Sequence, residues 1–352
     1  MEKVDYIIVG CGLAGISFCE QLKANNKTYV VYDDKSQLSS TVAGGLYNPV
    51  VLKRFTAVWR SEEQLALALP MYNAIEKELH IKIDYKVPVY RKFASLEEQN
   101  DWFSASDKPR LSSYLSTKLI PNTNSFLNAN YGFGEVLGTG RLDVATLINA
   151  YKKDLKSKNR LKEETFLYEI LVTNLEGVQY NNISAKHIVF CEGFGYKKNI
   201  YFDNFPLVAT KGELLKIHAP LLKIDYVVKG PVFIIPLLDD IYYVGATYNS
   251  KDTTPDVTEE AKMSLLEKLH TMINTSFTVV DQRAGIRPTV KDRRPLVGLH
   301  PKHNNMYVLN GLGTRGVMMA PYIAKKLYAF IEEDVALDPE IDIRRFKVFK
   351  NK

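Results

Sequence analysis

The chain has 352 residues, of which 46% are hydrophobic and 24% are charged, and its formal net charge is +6. This balance excludes a disordered or fibrous chain and is typical of a globular protein long enough to form two lobes. Its three cysteines, Cys11, Cys19 and Cys191, include no Cys-x-x-Cys pair, which excludes a disulfide framework and a zinc centre. They predict buried thiols in a cytoplasmic protein without a metal site. No apolar run reaches about 18 residues, so we expect no membrane span.

The first predicted elements are a strand, a helix and a second strand, over residues 4–9, 16–23 and 28–32. The turn before the helix contains Gly10, Gly12 and Gly15, in the Gly-x-Gly-x-x-Gly spacing of dinucleotide-binding folds. The first glycine allows the tight turn, the second lets the backbone approach a pyrophosphate, and the third lets the helix pack closely on the strand. The first N–H groups of the helix would then face the phosphates.

Asp33 ends the second strand, and Asp34 follows it. A carboxylate at this position accepts a hydrogen bond from a ribose hydroxyl in dinucleotide-binding folds. The complete unit therefore predicts a nucleotide cofactor, but it does not separate FAD from NAD. The alternative is that the glycines form only a tight turn and Asp33 is a solvated strand end.

The later elements alternate between helices and strands. Helices are predicted over residues 61–79, 142–155, 258–273 and 317–332. Strands are predicted over residues 86–93, 166–173, 187–190, 213–218, 232–236, 241–246 and 307–310. Residues 102–131 show no regular pattern, and a glycine turn precedes the last helix.

Several glycine-rich segments resemble the superfamily of D-amino-acid oxidase, glycine oxidase and sarcosine oxidase. They are SSTVAGGLYNP at 39–49, GTGRLD at 138–143, VGAT at 244–247, GIRP at 285–288, PLVG at 295–298 and NGLGTRGVMMAP at 310–321. Within that superfamily, Gly45-Leu46-Tyr47 and the late Gly-Thr-Arg-Gly are most similar to the FAD domain of the bifunctional tRNA wobble-uridine modification enzyme. That domain oxidatively removes a carboxymethyl group from an aminomethyl nitrogen. The methyltransferase half of that enzyme has no counterpart in this sequence.

The resemblance implies an α/β fold with two interleaved domains. A Rossmann-like FAD-binding domain of the glutathione-reductase type would comprise residues 1–82, 135–205 and 284–352. A substrate domain built on a mostly antiparallel sheet would comprise residues 83–134 and 206–283. FAD would be bound non-covalently, because no cysteine follows Gly285.

The resemblance also implies which residues contact FAD. The predicted cofactor-binding residues are Gly10, Gly12, Leu13, Ala14, Gly15, Asp33, Asp34, Ser40, Thr41, Gly44, Gly45, Leu46, Gly193, Gly313, Thr314, Arg315, Gly316, Val317 and Met318. The start of the last helix would stabilise negative charge on the flavin ring with its N–H groups. The alternatives are ordinary polar loop residues at Ser40 and Thr41 and a plain loop-to-helix junction at Gly313.

Arg287 and Arg315 are the predicted catalytic residues. A guanidinium binds a carboxylate through two parallel hydrogen bonds, and Arg287 matches the family position that binds a substrate carboxylate. The implied reaction is hydride transfer from the carbon next to the substrate nitrogen to flavin N5, followed by hydrolysis of the imine. Phe233 stands where relatives often carry tyrosine, and Lys211 where arginine is common. Either arginine could instead form a structural ion pair.

Four hypotheses follow: an oxidase or dehydrogenase of amines or amino acids, a tRNA wobble-uridine modifying oxidase, an NAD-dependent dehydrogenase, and a flavin-bound scaffold without activity. The second needs basic residues that face RNA rather than form a solvated surface. Candidates are Lys152, Lys153, Lys156, Lys158, Arg160, Lys162, Arg293, Arg294, Arg344, Arg345, Lys347, Lys350 and Lys352. All flavin-based hypotheses require the Gly12 turn and the Gly313 turn to meet at one cleft.

Overall fold

The computed structural model describes residues 1–346, so Lys347, Lys350 and Lys352 lie outside the described part of the chain. The α-helices are α1 (Leu13–Ala24), α2 (Ser39–Val42), α3 (Ser61–Leu79), α4 (Leu96–Ser106), α5 (Val144–Ser157), α6 (Glu259–His270) and α7 (Gly316–Glu332). The strands are β1 (Glu2–Val9), β2 (Tyr29–Tyr32), β3 (Leu46–Tyr47), β4 (Val50–Val51), β5 (Thr56–Ala57), β6 (Asp84–Tyr85), β7 (Val89–Lys92), β8 (Leu115–Ile120), β9 (Phe133–Val136), β10 (Gly140–Leu142), β11 (Leu161–Lys162), β12 (Val172–Asn174), β13 (Gly177–Tyr180), β14 (Ile183–Phe190), β15 (Leu207–His218), β16 (Val227–Lys229), β17 (Phe233–Pro236), β18 (Ile241–Gly245), β19 (Thr278–Val290), β20 (Leu296–Leu299) and β21 (Met306–Asn310).

The first large sheet has a parallel centre in the order β11-β2-β1-β14-β21, extended by antiparallel strands at both β14 and β21. Alternate residues of β1 face opposite layers, because side chains alternate along a strand. Tyr6 and Ile8 pack in the cluster formed with α1, α3, α5 and α7, whereas Ile7 and Val9 pack in a second cluster on the other face. The carboxyl ends of β1 and β2 carry the Gly10 turn and Asp33.

The second large sheet has the order β19-β15-β18-β17-β16-β7-β9-β8. All of its neighbouring strands are antiparallel except β16 and β7. One face packs against α6, and the other face carries residues such as Ile235 and Phe233, which point toward the first sheet. The α/β fold with a mostly antiparallel second sheet is therefore confirmed.

The chain passes repeatedly between the two sheets, as expected for interleaved domains. Strands β7 to β9 and β15 to β19 belong to the second sheet, and the first sheet takes strands from before, between and after them. Strand β19 runs across residue 284, where the last part of the FAD-binding domain was predicted to begin, and it stays paired with β15 as far as Val290. The exact domain boundaries remain a prediction.

The structure differs from the predicted elements at several places. Residues 166–173 were expected to form a strand, but a 3-10 turn at Tyr168–Ile170 precedes the short strand β12. The irregular stretch from 102 contains the end of α4 and the strand β8. Strand β19, the longest in the described residues, was not predicted because it contains Gly285 and Pro288.

Pro321 lies inside α7 rather than in its first turn. A proline has no N–H, so the carbonyl of Val317, four residues earlier, loses its helical partner. The buried Tyr72 hydroxyl of α3 donates to that carbonyl at 2.7 Å. The start of α7 is therefore held by a side chain from another helix. Within residues 1–346, no helix is both long and apolar enough to cross a membrane.

Candidate active site

A cleft of about 470 Å³ lies between the two sheets. Both glycine-rich corners line it: Gly10 and Gly12 at one end, and Gly313 and Gly316 further along. A Cβ added to Gly316 would lie 3.1 Å from the Leu13 side chain, so the starts of α1 and α7 are in contact. The expectation that the two distant turns meet at one cleft is therefore met.

The first corner depends on two glycines for close approach of the backbone. Gly10 has φ +101°, and an added Cβ would lie 2.5 Å from the Cys191 carbonyl oxygen. An added Cβ at Gly15 would lie 2.0 Å from the Gly10 carbonyl oxygen. Any larger residue at either position would move α1 away from β1 and β14.

The start of α1 carries N–H groups that are available to an anion. Gly12 is the N-cap residue and supplies no side-chain cap. The Leu13 N–H has only a long contact of 3.5 Å with the Ser40 hydroxyl. Because a helix N-terminus is also the positive end of the helix dipole, this corner can bind a diphosphate.

Asp33 is held on the cleft wall by three groups of the protein. The Cys11 N–H donates to one carboxylate oxygen at 2.7 Å, and the Lys35 N–H donates to the other at 3.0 Å. The ammonium group of Lys152, from α5, forms an ion pair with the same carboxylate. Asp33 is thus fixed beside the turn that contains Gly10 and Gly12. Its carboxylate faces the cleft and can still accept a hydrogen bond there.

The segment after α2 brings Gly44, Gly45 and Leu46 to the same cleft. An added Cβ at Gly45 would lie 1.9 Å from the Leu142 carbonyl oxygen, and one at Gly44 would lie 2.9 Å from Ile235. The backbone of Gly44 and Gly45 therefore packs closely between β10 and the second sheet.

The late corner presents the start of α7. Arg315 is its N-cap residue and provides no side-chain cap, so the first N–H groups of the helix remain available. The Thr289 hydroxyl lies 3.9 Å from an added Cβ at Gly313. That hydroxyl is buried and has no hydrogen-bond partner in the described part of the chain. A ligand bound in the cleft could supply the hydrogen-bond partner of this hydroxyl.

Arg287 is the cation on the second-sheet side of the cleft. Its side chain crosses Gly212, where an added Cβ would lie 2.0 Å from the guanidinium. One guanidinium nitrogen donates to the Thr247 carbonyl at 3.3 Å, and the group stacks 4.7 Å above the Tyr248 ring. No carboxylate among residues 1–346 forms an ion pair with it, and burial lowers its pKa. The guanidinium is therefore available to an anionic ligand.

The wall around Arg287 is otherwise apolar. It comprises Leu214, Phe233, Ile235 and Tyr243, together with small residues. The acidic residues that line the cleft, Asp33, Asp34, Glu164 and Glu192, all belong to the opposite, first-sheet end. In the described residues the second-sheet side of the cleft thus has a cation and an apolar surface but no carboxylate or histidine.

Seventeen of the predicted site residues line the cleft: Gly10, Gly12, Leu13, Ala14, Asp33, Asp34, Ser40, Thr41, Gly44, Gly45, Leu46, Gly193, Arg287, Gly313, Thr314, Gly316 and Val317. Three others do not line it. Gly15 packs behind the turn, and the Met318 side chain is buried among the helices. Arg315 lies outside the lining near Arg293, and burial is the main cause of its lowered pKa. The roles of all twenty remain predictions.

Sequence reasoning did not identify Lys152, Glu192, Tyr248 and Thr289 as site residues. Lys152 was noted only as part of a basic run, and its pairing with Asp33 depends on the docking of α5. Tyr248 directly follows a segment that was recognised as similar to the superfamily, Val244–Thr247, which was the available signal. Thr289 lies on the unpredicted strand β19, and Glu192 lies beyond the end of β14.

Glu192 is a buried carboxyl at the first-sheet end of the cleft. Tyr168 and Asn199 donate to it, the latter at 2.7 Å, but burial dominates and raises its pKa to about 7. The folded state therefore holds a proton that the unfolded state releases between about pH 4.5 and 7. Stability from this group is fully present below that window and is lost as pH rises through it.

We expect Glu192→Gln to flatten the pH dependence of stability, since the amide stays neutral and can keep both hydrogen bonds. Between pH 5 and 8 the free energy of unfolding of the wild type should fall by up to about 3 kcal/mol more than that of the variant. Thermal unfolding of both proteins at these two pH values measures the difference. Parallel pH profiles would show that Glu192 does not titrate in this range.

The residues of the cleft fit FAD. The closely packed glycine backbones leave room for a dinucleotide, and the uncapped starts of α1 and α7 face that space. The Thr289 hydroxyl, which has no hydrogen-bond partner in the described residues, lies beside the start of α7. Helix starts stabilise a diphosphate at one end and a reduced, negatively charged ring at the other. In residues 1–346, no group of acidic, histidine and cysteine side chains is arranged to hold a metal.

Comparison with known proteins agrees with this site. Residues 5–329 match the family model of the FAD dependent oxidoreductases, abbreviated DAO. The tRNA 5-methylaminomethyl-2-thiouridine biosynthesis bifunctional protein MnmC of Campylobacter concisus is 23% identical over 312 residues, covering 83% of this chain and 46% of that protein. Glycine oxidase of Bacillus subtilis is 26% identical over 211 residues, covering 54% of this chain and 56% of that protein. The chain thus matches only about half of each relative.

Solved structures share the fold over almost the whole chain. Glycine oxidase from Geobacillus kaustophilus superposes with a TM-score of 0.79 at 18% identity, covering 96% of this chain and 97% of that chain. Iminodiacetate oxidase from Chelativorans sp. BNC1 gives a TM-score of 0.74 at 18% identity, covering 96% and 98%.

Proposed function

The chain belongs to the family of FAD-dependent oxidoreductases, and on that basis we propose that it oxidises a carbon–nitrogen bond of an amino acid or a carboxylated secondary amine. The observation that carries the proposal is the unpaired Arg287 guanidinium in the cleft that both glycine corners share. A family whose cofactor is FAD needs no other redox group. The NAD-dependent alternative would leave the Gly45 and Gly313 corners without a role.

The residues of the chain bind and orient the substrate rather than exchange protons with it. FAD supplies the acceptor for a hydride from the carbon next to the substrate nitrogen. Arg287 fixes the carboxylate through two charge-assisted hydrogen bonds, which sets the position of that carbon. Phe233 and Ile235 exclude water around it. The start of α7 would offer its free N–H groups to the flavin ring and would so favour negative charge there.

The proposed amine must be neutral when it reacts, because no carboxylate or histidine of the described substrate wall can take its proton. The rate should therefore rise with pH through the pKa of the substrate amine. The C–H electron pair leaves with the hydride, and the nitrogen lone pair forms the second carbon–nitrogen bond of an iminium ion. Water then hydrolyses that ion to a carbonyl compound and an amine.

Anaerobic mixing with an amine panel tests the proposal. The FAD-loaded protein should lose its yellow colour with at least one of glycine, sarcosine, proline or iminodiacetate. Carboxylate-free counterparts, such as methylamine and dimethylamine, should react far more slowly. Colour loss that is equal with and without the carboxylate would contradict the role of Arg287, and a protein that retains no FAD would contradict the proposal as a whole.

A second candidate is oxidative removal of a carboxymethyl group from a tRNA wobble uridine, in the cytoplasm. It is favoured by the MnmC relative, whose similarity covers 83% of this chain. A carboxymethylamine also carries the carboxylate that Arg287 would bind. This function requires salt-sensitive tRNA binding and accumulation of the carboxymethylated nucleoside in a deletion strain. Unchanged wobble nucleosides would exclude it.

A further inference from the structure

Tyr248 is the most exposed large aromatic residue of the cleft, with 69% of its surface accessible. One face of its ring packs on the Arg287 guanidinium at 4.7 Å. Its hydroxyl has no hydrogen-bond partner within the described residues. Because it both lines the cleft and faces solvent, it marks the opening through which a substrate reaches Arg287.

The backbone around Tyr248 is fixed even though its ring is exposed. On one side, the Thr247 N–H donates to the Glu213 carbonyl at 3.0 Å, and the Thr247 hydroxyl accepts from the Glu213 N–H at 2.9 Å. On the other side, Asn249 exchanges two backbone hydrogen bonds with Lys211, at 2.8 and 2.9 Å. Tyr248 therefore lies on a short stretch that is paired to β15 at both of its neighbours.

A buried ion pair holds the far end of the same segment. Lys211 is 1% exposed, and its ammonium group lies 2.5 Å from the Asp252 carboxylate. Asp252 in turn accepts from the Thr254 N–H at 2.8 Å. A buried ammonium group that lost this partner would keep only the Thr254 hydroxyl, at 3.4 Å, and Glu213, at 3.8 Å, among the described residues. The segment is thus clamped to β15, which also carries Gly212 beneath Arg287.

The contacts of Arg287 leave one edge of its guanidinium unused. Gly212 lies beneath it, the Tyr248 ring covers one face, and Thr247 accepts from one nitrogen. A planar guanidinium presents its donors in a fixed fork, so its orientation decides whether two of them reach a carboxylate together. Phe233, on the same sheet, offers no hydroxyl to assist.

We propose that Tyr248 is a substrate-binding residue. Its ring holds the Arg287 guanidinium in the plane that receives a substrate carboxylate, and its hydroxyl donates to that carboxylate at the cleft opening. The inference rests on the proposed function, since it assumes a carboxylate on Arg287. The inference also gives the 247–254 segment a role, because this segment sets the positions of the ring and the hydroxyl of Tyr248.

Binding of glycolate to the FAD-loaded protein tests this role without turnover. Isothermal titration calorimetry should show a roughly tenfold higher Kd for Tyr248→Phe, which loses one hydrogen bond to a charged group. Tyr248→Leu, which also loses the ring support, should show a Kd higher by about a hundredfold. Asp252→Asn, which releases the segment, should weaken binding in the same direction. Uncharged glycolamide should bind equally weakly to all four proteins.

Tyr131→Phe is the matched control, because Tyr131 is 40% exposed and does not line the cleft. Its Kd for glycolate should equal that of the wild type. The flavin absorbance of each variant should also be unchanged, which separates a binding effect from a loss of fold. If Tyr248→Leu binds glycolate like the wild type, the inference is wrong and the proposed function stands. If the wild type itself does not bind glycolate, the carboxylate site at Arg287 is wrong as well.

Discussion

Replacement of Arg287 by methionine should lower kcat/KM for a carboxylated amine by about 10²- to 10⁴-fold while FAD stays bound. Two charge-assisted hydrogen bonds to the substrate carboxylate would be lost, each worth about 1.5–3 kcal/mol. The loss should fall on kcat as well as KM, because the carboxylate fixes the reacting carbon. Arg287→Lys should restore little, since an ammonium group cannot form the paired contact.

Protein stability provides the control for this experiment. A structural ion pair would make Arg287→Met strongly destabilising. In the described part of the chain, however, Arg287 has no carboxylate partner and burial lowers its pKa, so its charge is disfavoured in the folded protein. We therefore expect the melting temperature of the variant to equal or exceed that of the wild type. A clear decrease in melting temperature would show that Arg287 has a structural role instead.

Gly15→Ala should yield a protein that no longer retains FAD. The new methyl group would lie 2.0 Å from the Gly10 carbonyl oxygen, which is backbone and cannot rotate away. The start of α1 must then move outward, and its N–H groups lose their alignment with the diphosphate. Loss of two such charge-assisted bonds would raise the Kd for FAD by about a hundredfold or more.

The ratio of flavin to protein absorbance after purification measures this effect, and titration with added FAD gives the Kd. Gly195→Ala is the matched control, because its added Cβ meets only the flexible Gln37 side chain, at 3.3 Å. Gly195 lines the same cleft, so retention of FAD by this variant would exclude a general sensitivity of the cleft to alanine. A yellow Gly15→Ala protein with an unchanged Kd would contradict the assigned geometry.

The sequence predicted the elements whose signals are local. The apolar run before Gly10, the glycine spacing and Asp33 define β1, α1 and β2 without help from the rest of the chain. Helix α4 was missed although its start has a local signal, a serine followed three residues later by glutamate, and the Ser95 hydroxyl accepts from the Glu98 N–H at 3.2 Å. Strand β19 had no such signal, because its extended form is imposed by pairing with β15.

The candidate site divides in the same way. Its glycine turns are local motifs, so their positions were predictable. The space for Arg287 is not, because it depends on Gly212 from another strand. The Lys152–Asp33 ion pair and the Tyr248–Arg287 stacking also join residues that are far apart in sequence. Such contacts become visible only when the packing of the two sheets is known.

The contact between α1 and α7 has a consequence for biosynthesis. These helices begin at the two glycine corners of the cleft and pack in one apolar cluster, yet they are the first and last α-helices of residues 1–346. A nascent chain on the ribosome would have made the Gly10 turn long before the Gly313 turn emerged. Flavin capture should therefore be post-translational, and ribosome-stalled chains that end before α7 should remain colourless in the presence of FAD.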